Sequence, residues 1–175
     1  MLIRYAIAPC GLGFILVALT ERGLCRVGIA STRDALRREL ASEFPRAELE
    51  ESSAKLSPRV HAILRHLEGK SRELSMPLDV RATAFQRRVW EALRAIPYGQ
   101  TRSYQDIARA IGAPKAARAV GAACARNPLA LVVPCHRAVR ANGDLAGYAW
   151  GLDVKRRLLD AERRASPKVR RETRA

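Results

Sequence analysis

A five-residue apolar run, Leu129-Ala130-Leu131-Val132-Val133, ends in Pro134-Cys135-His136-Arg137, and no other stretch constrains the chain so tightly. An uninterrupted apolar run has no solvent face, so it reads as a buried strand or core segment with structure on every side. A cysteine, a histidine and an arginine then emerge where the buried run stops. A thiol is a strong nucleophile only as the thiolate, and neighbouring His and Arg are groups that lower its pKa. Two readings follow. One is an activated sulfur beside a base and a permanent positive charge. The other is a small core residue, since free cysteine is among the most buried residue types.

Charge narrows the partners. The chain has 32 Lys and Arg against 17 Asp and Glu, a net charge of +15. Such a surplus favours polyanions, through counterion release from a phosphate backbone or through anionic lipid. The apolar stretches fall short of the ~18 residues that span a bilayer. The start, Met1-Leu2-Ile3-Arg4-Tyr5, lacks the ordered parts of a secretory signal. Cys10, Cys25, Cys124 and Cys135 have none of the CxxC spacings of zinc or redox sites. The expectation is a cytoplasmic nucleic-acid binder with reduced thiols, no membrane and no metal.

The chain divides into two halves without repeats. In the first, Leu2–Ile7, Phe14–Thr20 and Leu24–Ile29 read as strands, separated by Gly11-Leu12-Gly13 and Glu21-Arg22-Gly23. Ser31 or Thr32 caps a helix running to about Phe44 with Ala35, Leu36 and Leu40 inward. An acidic patch, Glu48 to Glu51, precedes a second helix that starts at Ser57-Pro58 and stops at Gly69. Leu74–Val80 reads as a connecting strand or extended linker.

The second half is mostly helical. Thr83 caps a helix with Phe85, Val89, Trp90 and Leu93 on one face, ended by Pro97-Tyr98-Gly99. Ser103–Ile111 forms a short helix, Gly112-Ala113-Pro114 a tight break, and about Lys115 to Ala125 an alanine-rich helix. Two short helices joined by a glycine-containing turn are the pattern of helix-turn-helix DNA binding, although plain helical hairpins share it. Asn142-Gly143 signals a turn, and Val154–Glu162 a last helix. Residues 164–175 read as a basic, disordered tail.

Several of these segments, in this order, resemble the O6-alkylguanine-DNA alkyltransferases. They are Ala84-Phe85-Gln86-Arg87-Arg88-Val89-Trp90, Ile96-Pro97-Tyr98-Gly99-Gln100-Thr101, Ser103-Tyr104-Gln105, and Pro114-Lys115-Ala116-Ala117-Arg118-Ala119-Val120-Gly121. Arg126-Asn127-Pro128, Pro134–Arg137, Gly147-Tyr148 and Gly151-Leu152-Asp153-Val154-Lys155 with Leu158, Leu159 and Glu162 continue the series. Tyr148-Ala149-Trp150-Gly151 is similar to the bacterial branch, including the C-terminal half of its adaptive-response regulator. The resemblance is strong over about 83–163 and looser over the first half. It implies an α/β N-terminal domain over 1–79, a small antiparallel sheet with helices of ribonuclease H-like kind. A mostly α domain over 80–163 would carry the helix-turn-helix.

The resemblance also implies a direct repair reaction on double-stranded DNA. An O6-alkylguanine is flipped out of the stack and its alkyl group moves to the protein's own cysteine, once, by a monomer without cofactor. Flipping is required because a stacked base leaves no line for in-line attack. Cys135 would be the alkyl acceptor, His136 the base acting through a water, and Glu162 the group that orients the imidazole. Asn127 would hold the active-site loop. Asn before Pro also suits a helix C-cap. Tyr104 would donate to the leaving guanine and help swing its phosphate. Arg118 would fill the stack in place of the base, while Ala116, Ala117 and Ala119 would let the helix approach closely in the minor groove, without sequence preference. Tyr148, Cys124 and the backbone around Ala138 would line the guanine pocket, with Trp150 at its mouth and narrowing it. Some relatives hold a structural zinc, but the matching Cys position falls on Thr20. Two other classes fit parts of the pattern: a DNA-binding regulator with a sensing thiol, and a cysteine hydrolase using Cys135, His136 and Glu162.

Overall fold

Residues 1–166 are described by a computed structural model. Strands β1 (Leu2–Cys10), β2 (Gly13–Leu19) and β3 (Leu24–Ala30) form an antiparallel meander. Alternation sorts their side chains onto two faces. Ile3, Ile7, Leu16, Ala18 and Cys25 pack under helix α1 (Arg33–Glu43) through Leu36 and Leu40. Ala6, Ile15, Val17, Val27 and Ile29 join the larger core that continues into the second half of the chain. Thr32 caps α1 by accepting from Ala35 N.

Two features of the first half depart from the sequence reading. The acidic patch is a fourth strand, β4 (Glu48–Glu51), parallel to β1, in the order β3-β2-β1-β4. Its charges face outward from an edge, where Arg4 pairs with Glu50 and Arg37 with Glu51. Helix α2 spans Ser53–Leu67 and so begins before Pro58, which lies inside it. Ser52 N donates to Tyr5 O at 2.8 Å, and buried Leu56 anchors the first turn. These ties set the start upstream of the proline, whose missing N–H costs one helical bond. The Leu74–Val80 segment forms no strand beyond an isolated bridge between Leu24 and Leu78.

Helix α3 (Ala84–Arg94) opens with a reciprocal cap: Thr83 Oγ1 accepts from Gln86 N, and Gln86 Oε1 accepts from Thr83 N. Ser103 and Asp106 repeat the device at α4 (Tyr104–Ala110), which sets Tyr104 at the first helical position. A two-residue strand, β5 (Arg102–Ser103), precedes it. Gly112, at φ 71°, makes the turn into α5 (Ala117–Ala125). Helices α4 and α5 pack on α3, where Trp90 Nε1 donates to Ala123 O at 3.0 Å. Cys135–Arg137 form one 3-10 turn, β6 (Ala138–Val139) pairs with β5, and α6 (Leu152–Ala165) closes the described chain. The basic tail expected over 164–175 lies, from residue 167 on, outside the described residues.

The apolar run before Cys135 is core, not strand. Its backbone closes on itself, with Val133 N donating to Leu129 O and Val132 N to Ala130 O. Leu131 takes φ 69°. One link runs outward: Val27 N of β3 donates to Pro128 O, and Ala130 N donates back to Val27 O. The sheet of the first half therefore holds the segment that carries the cysteine. Among the described residues, no helix is long and apolar enough to cross a membrane.

Candidate active site

Cys135 sits at the start of the 3-10 turn, 3% exposed, in the wall of a cavity of about 510 Å³. Other walls come from the helix pair (Tyr104, Ala117, Arg118, Cys124) and from the segment after β6 (Arg140, Tyr148). Asn127, itself buried, follows α5 and binds in three directions. Its Nδ2 donates to Val133 O at 2.8 Å and to Cys135 Sγ at 3.2 Å, and its Oδ1 accepts from Leu129 N at 2.9 Å. It ends the helix-turn-helix and fixes the sulfur with one side chain. The helix C-cap itself is Arg126.

His136 is fully buried, and its Nε2 lies 2.7 Å from Glu162 Oε1. An ionised carboxylate only accepts, so Nε2 carries the proton and Nδ1 presents a lone pair. Nδ1 is buried and has no partner among the described residues. Burial keeps His136 below its ordinary pKa, against the pull of Glu162. Burial acts to raise Glu162, but hydrogen bonds and charge from His136 and Arg137 outweigh it and hold the carboxyl at about 2. The imidazole is thus neutral beside a carboxylate, a base with a counter-charge already in place.

Arg137 does not serve the sulfur. Its Nε reaches Glu162 Oε2 at 3.0 Å, its Nη2 reaches Oε1 at 2.9 Å, and its Nη1 donates to Ile96 O at 2.7 Å. The positive charge that the sequence reading put next to the thiol is spent on the carboxylate. The cation that favours the thiolate is Lys155, whose side chain is fully buried. Its Nζ donates to the carbonyls of Ala138 (2.6 Å), Leu145 and Gly147 (3.3 Å), and stands 5.9 Å from the centre of the Tyr104 ring. Sequence reasoning gave Lys155 no role. The available signal was a lysine on the inward stripe of α6, one position after Val154 and three before Leu158. Burial pushes the Cys135 thiol up to about 11, against the opposing effects of Asn127 and Lys155. The resting sulfur is therefore a protonated thiol.

Ala138 and Trp150 fall outside this cavity. The Ala138 side chain is fully buried, and its carbonyl is engaged by Lys155. Trp150 is turned toward β3 and α1: it lines a groove with Arg26, Glu39 and Glu43, and its ring lies 5.9 Å from the Arg26 guanidinium. Its ring meets Tyr148 edge-on at 5.2 Å, from outside the cavity that holds Cys135. Ala116 is the N-cap of α5 and Ala119 is exposed on it, while Ala117 and Arg118 reach the cavity. Arg140, Gly121 and Ala146 also line it and were not anticipated.

Gly99 completes the network, donating its N–H to Glu162 Oε2 at 2.9 Å from a backbone at φ 81°. A side chain there is strained, and its Cβ would press on Ser166 Oγ. Gly99→Ala is expected to cost about 1–3 kcal/mol, read as a lower thermal midpoint, and to misalign the carboxylate.

Fold and site together define a helix-turn-helix protein with a cysteine–histidine–glutamate centre beneath the helix pair. The chain belongs to the 6-O-methylguanine DNA methyltransferase family: residues 3–80 match its ribonuclease-like domain and residues 84–164 its DNA-binding domain. The inducible methylated-DNA–protein-cysteine methyltransferase of Bacillus subtilis is 44% identical over 154 residues, 87% of this chain and 86% of that protein. The Escherichia coli bifunctional transcriptional activator/DNA repair enzyme Ada is 47% identical over 160 residues, 91% of this chain. The chain spans only 45% of the length of that protein and of its Salmonella typhimurium counterpart. Mycobacterium tuberculosis OGT, solved in complex with DNA, superposes with a TM-score of 0.80 at 37% identity, over 94% of this chain and 96% of that one.

Proposed function

We propose that this chain repairs O6-alkylguanine in double-stranded DNA by moving the alkyl group irreversibly to Cys135. The observation that carries this is a buried thiol in a cavity whose outer wall is the helix pair itself, with exposed Arg118 at the same opening. A substrate that reaches the sulfur must come through the DNA-docking surface, and a stacked base cannot. The exposed small residues of α5, Ala119, Ala122 and Ala125, favour close approach in a minor groove, with Arg118 filling the gap left by the extruded base.

In the reaction the Cys135 proton passes through a water to His136 Nδ1, and Glu162 stabilises the imidazolium. The thiolate attacks the alkyl carbon in line, the S–C bond forms as the C–O6 bond breaks, and guanine leaves with the electron pair. The proton then returns to the departing base. A thioether is the end product, so each molecule acts once. Burial holds Tyr104 up at about 12, so it stays an O–H donor toward the negative charge on the leaving guanine. Tyr104→Phe is expected to slow transfer about 10- to 100-fold with DNA affinity little changed, measured by single-turnover quench.

The same reading takes the chain as a cofactor-free cytoplasmic monomer divided near residue 79, with O4-alkylthymine as the second lesion to assay. The test is incubation with duplex DNA carrying O6-methylguanine, followed by peptide mass spectrometry. One equivalent of methyl on the Cys135 peptide is expected, with no further consumption of lesion. Repeated turnover would instead identify a hydrolase, and an unmodified Cys135 would refute the proposal.

A further inference from the structure

Arg140 borders the same cavity as Cys135, and neither the sequence reading nor the proposed reaction gives it a part. The fold puts it there by register. Strands β5 and β6 run parallel, with Arg102 opposite Ala138 and Ser103 opposite Val139. One step further along come Tyr104 and Arg140, and both line the cavity. The backbone at this point is fixed: Arg140 N donates to Asp144 O at 2.8 Å, and Gly143 N donates back to Arg140 O at 2.9 Å. The side chain is free. It is exposed, and among the described residues it enters no ion pair. Asp144 and Asp160 share a neighbouring cavity with it, but Asn142 Nδ2 holds Asp144 at 2.8 Å and Arg163 holds Asp160 at 3.7 Å. Burial holds the Tyr104 phenol up, and the Arg140 charge acts against it, so the field of the guanidinium reaches that hydroxyl.

We propose that Arg140 is a second catalytic residue for the leaving group, its guanidinium stabilising the negative charge on the departing guanine beside Tyr104. The inference rests on the alkyl-transfer reading. As the C–O6 bond breaks, the electron pair moves onto the base before the proton returns from His136. A fixed positive charge next to the phenol lowers the energy of that state and strengthens the phenol as a donor. In the free protein, water screens an exposed guanidinium. DNA docked over the helix pair covers the cavity mouth and excludes that water, so the same charge acts at a lower effective dielectric.

The test keeps the phosphates constant and changes only the leaving group. Two duplexes of one sequence carry either O6-methylguanine or O6-methyl-8-azaguanine, whose extra ring nitrogen withdraws electrons and makes the base a better leaving group. Single-turnover rates are measured with saturating protein, for wild type and for Arg140→Gln, altered only at an exposed side chain. Arg140→Gln is expected to slow transfer from O6-methylguanine about tenfold or more. On the 8-aza duplex the loss should shrink to less than about threefold, because less charge needs help. Arg140→Lys, which keeps the charge, should recover part of the rate. Equal losses on the two duplexes would assign Arg140 to the nucleic-acid backbone and overturn the inference, as would an unslowed Arg140→Gln. Either result leaves the alkyl-transfer reading standing, whereas a wild-type Cys135 that gains no methyl would remove both.

Discussion

Cys135→Ser is expected to abolish alkyl transfer, a loss of at least about 10³-fold, while leaving the fold intact. The hydroxyl fills almost the same volume and still accepts from Asn127 Nδ2, so the loop from Asn127 to Cys135 has no reason to move. What disappears is the soft, ionisable sulfur. A neutral imidazole can draw a proton from a thiol at about 11, but not from an alcohol several units higher still. Cys124 lines the same cavity and is the control. Cys124→Ser should retain stoichiometric methylation, and mass spectrometry of both peptides reads which sulfur carries the group. Methyl appearing on Cys124 in the Cys135→Ser chain would move the acceptor and with it the proposed mechanism.

The second large effect is expected at Glu162. Its carboxylate, on a residue only 4% exposed, receives His136, Arg137 in bidentate fashion, and the Gly99 N–H. Glu162→Ala leaves a buried guanidinium without its counter-charge, which costs about 3–5 kcal/mol. For a chain of this size that is a fall of roughly 6–20 °C in thermal midpoint. Glu162→Gln keeps the shape and part of the hydrogen bonding, so it should melt between wild type and Glu162→Ala, with transfer slowed about 10²- to 10⁴-fold. The pH dependence has a definite sign. The folded carboxyl ionises at about 2 against an ordinary 4.5, so its stabilisation is complete above the ordinary value and fades as pH falls toward the folded one. Melts of wild type and Glu162→Gln should therefore converge across that acid window. A gap that persists at the acid end would remove Glu162 from the network.

Local signals carried much of the architecture. Thr83 with Gln86, Ser103 with Asp106, and Gly112 in its left-handed turn each announce a helix boundary within four residues of sequence, and each is where the chain turns. Cys135, His136 and Glu162 are linked across 26 residues by motif order, and the fold brings these side chains together. What escaped was set by tertiary contact. Parallel β4 is highly acidic and is held by its pairing with β1. The start of α2 is decided by Leu56 and Tyr5, not by Pro58. Arg137 follows the cysteine in sequence but turns to Glu162, and Trp150 follows the pocket residues but turns to Arg26. Adjacency in the chain says nothing about which way a side chain leaves it. Lys155 was hidden for a related reason: a buried ammonium is read as an error in the stripe until three carbonyls are seen around it.

The paired backbone bonds between Val27 and the Pro128–Ala130 segment bear on the life of the chain before it works. The thiol acquires its muted character only when a strand made early in synthesis meets a loop made late. Until then Cys135 is an ordinary exposed cysteine, without the burial that raises its pKa in the fold and open to soft electrophiles. In the proposed reaction Cys135 is used once, and the guard against casual chemistry is then completion of the fold itself. On that reading the nascent chain is the wasteful form, and the folded one keeps the sulfur for a substrate that enters beside the helix pair.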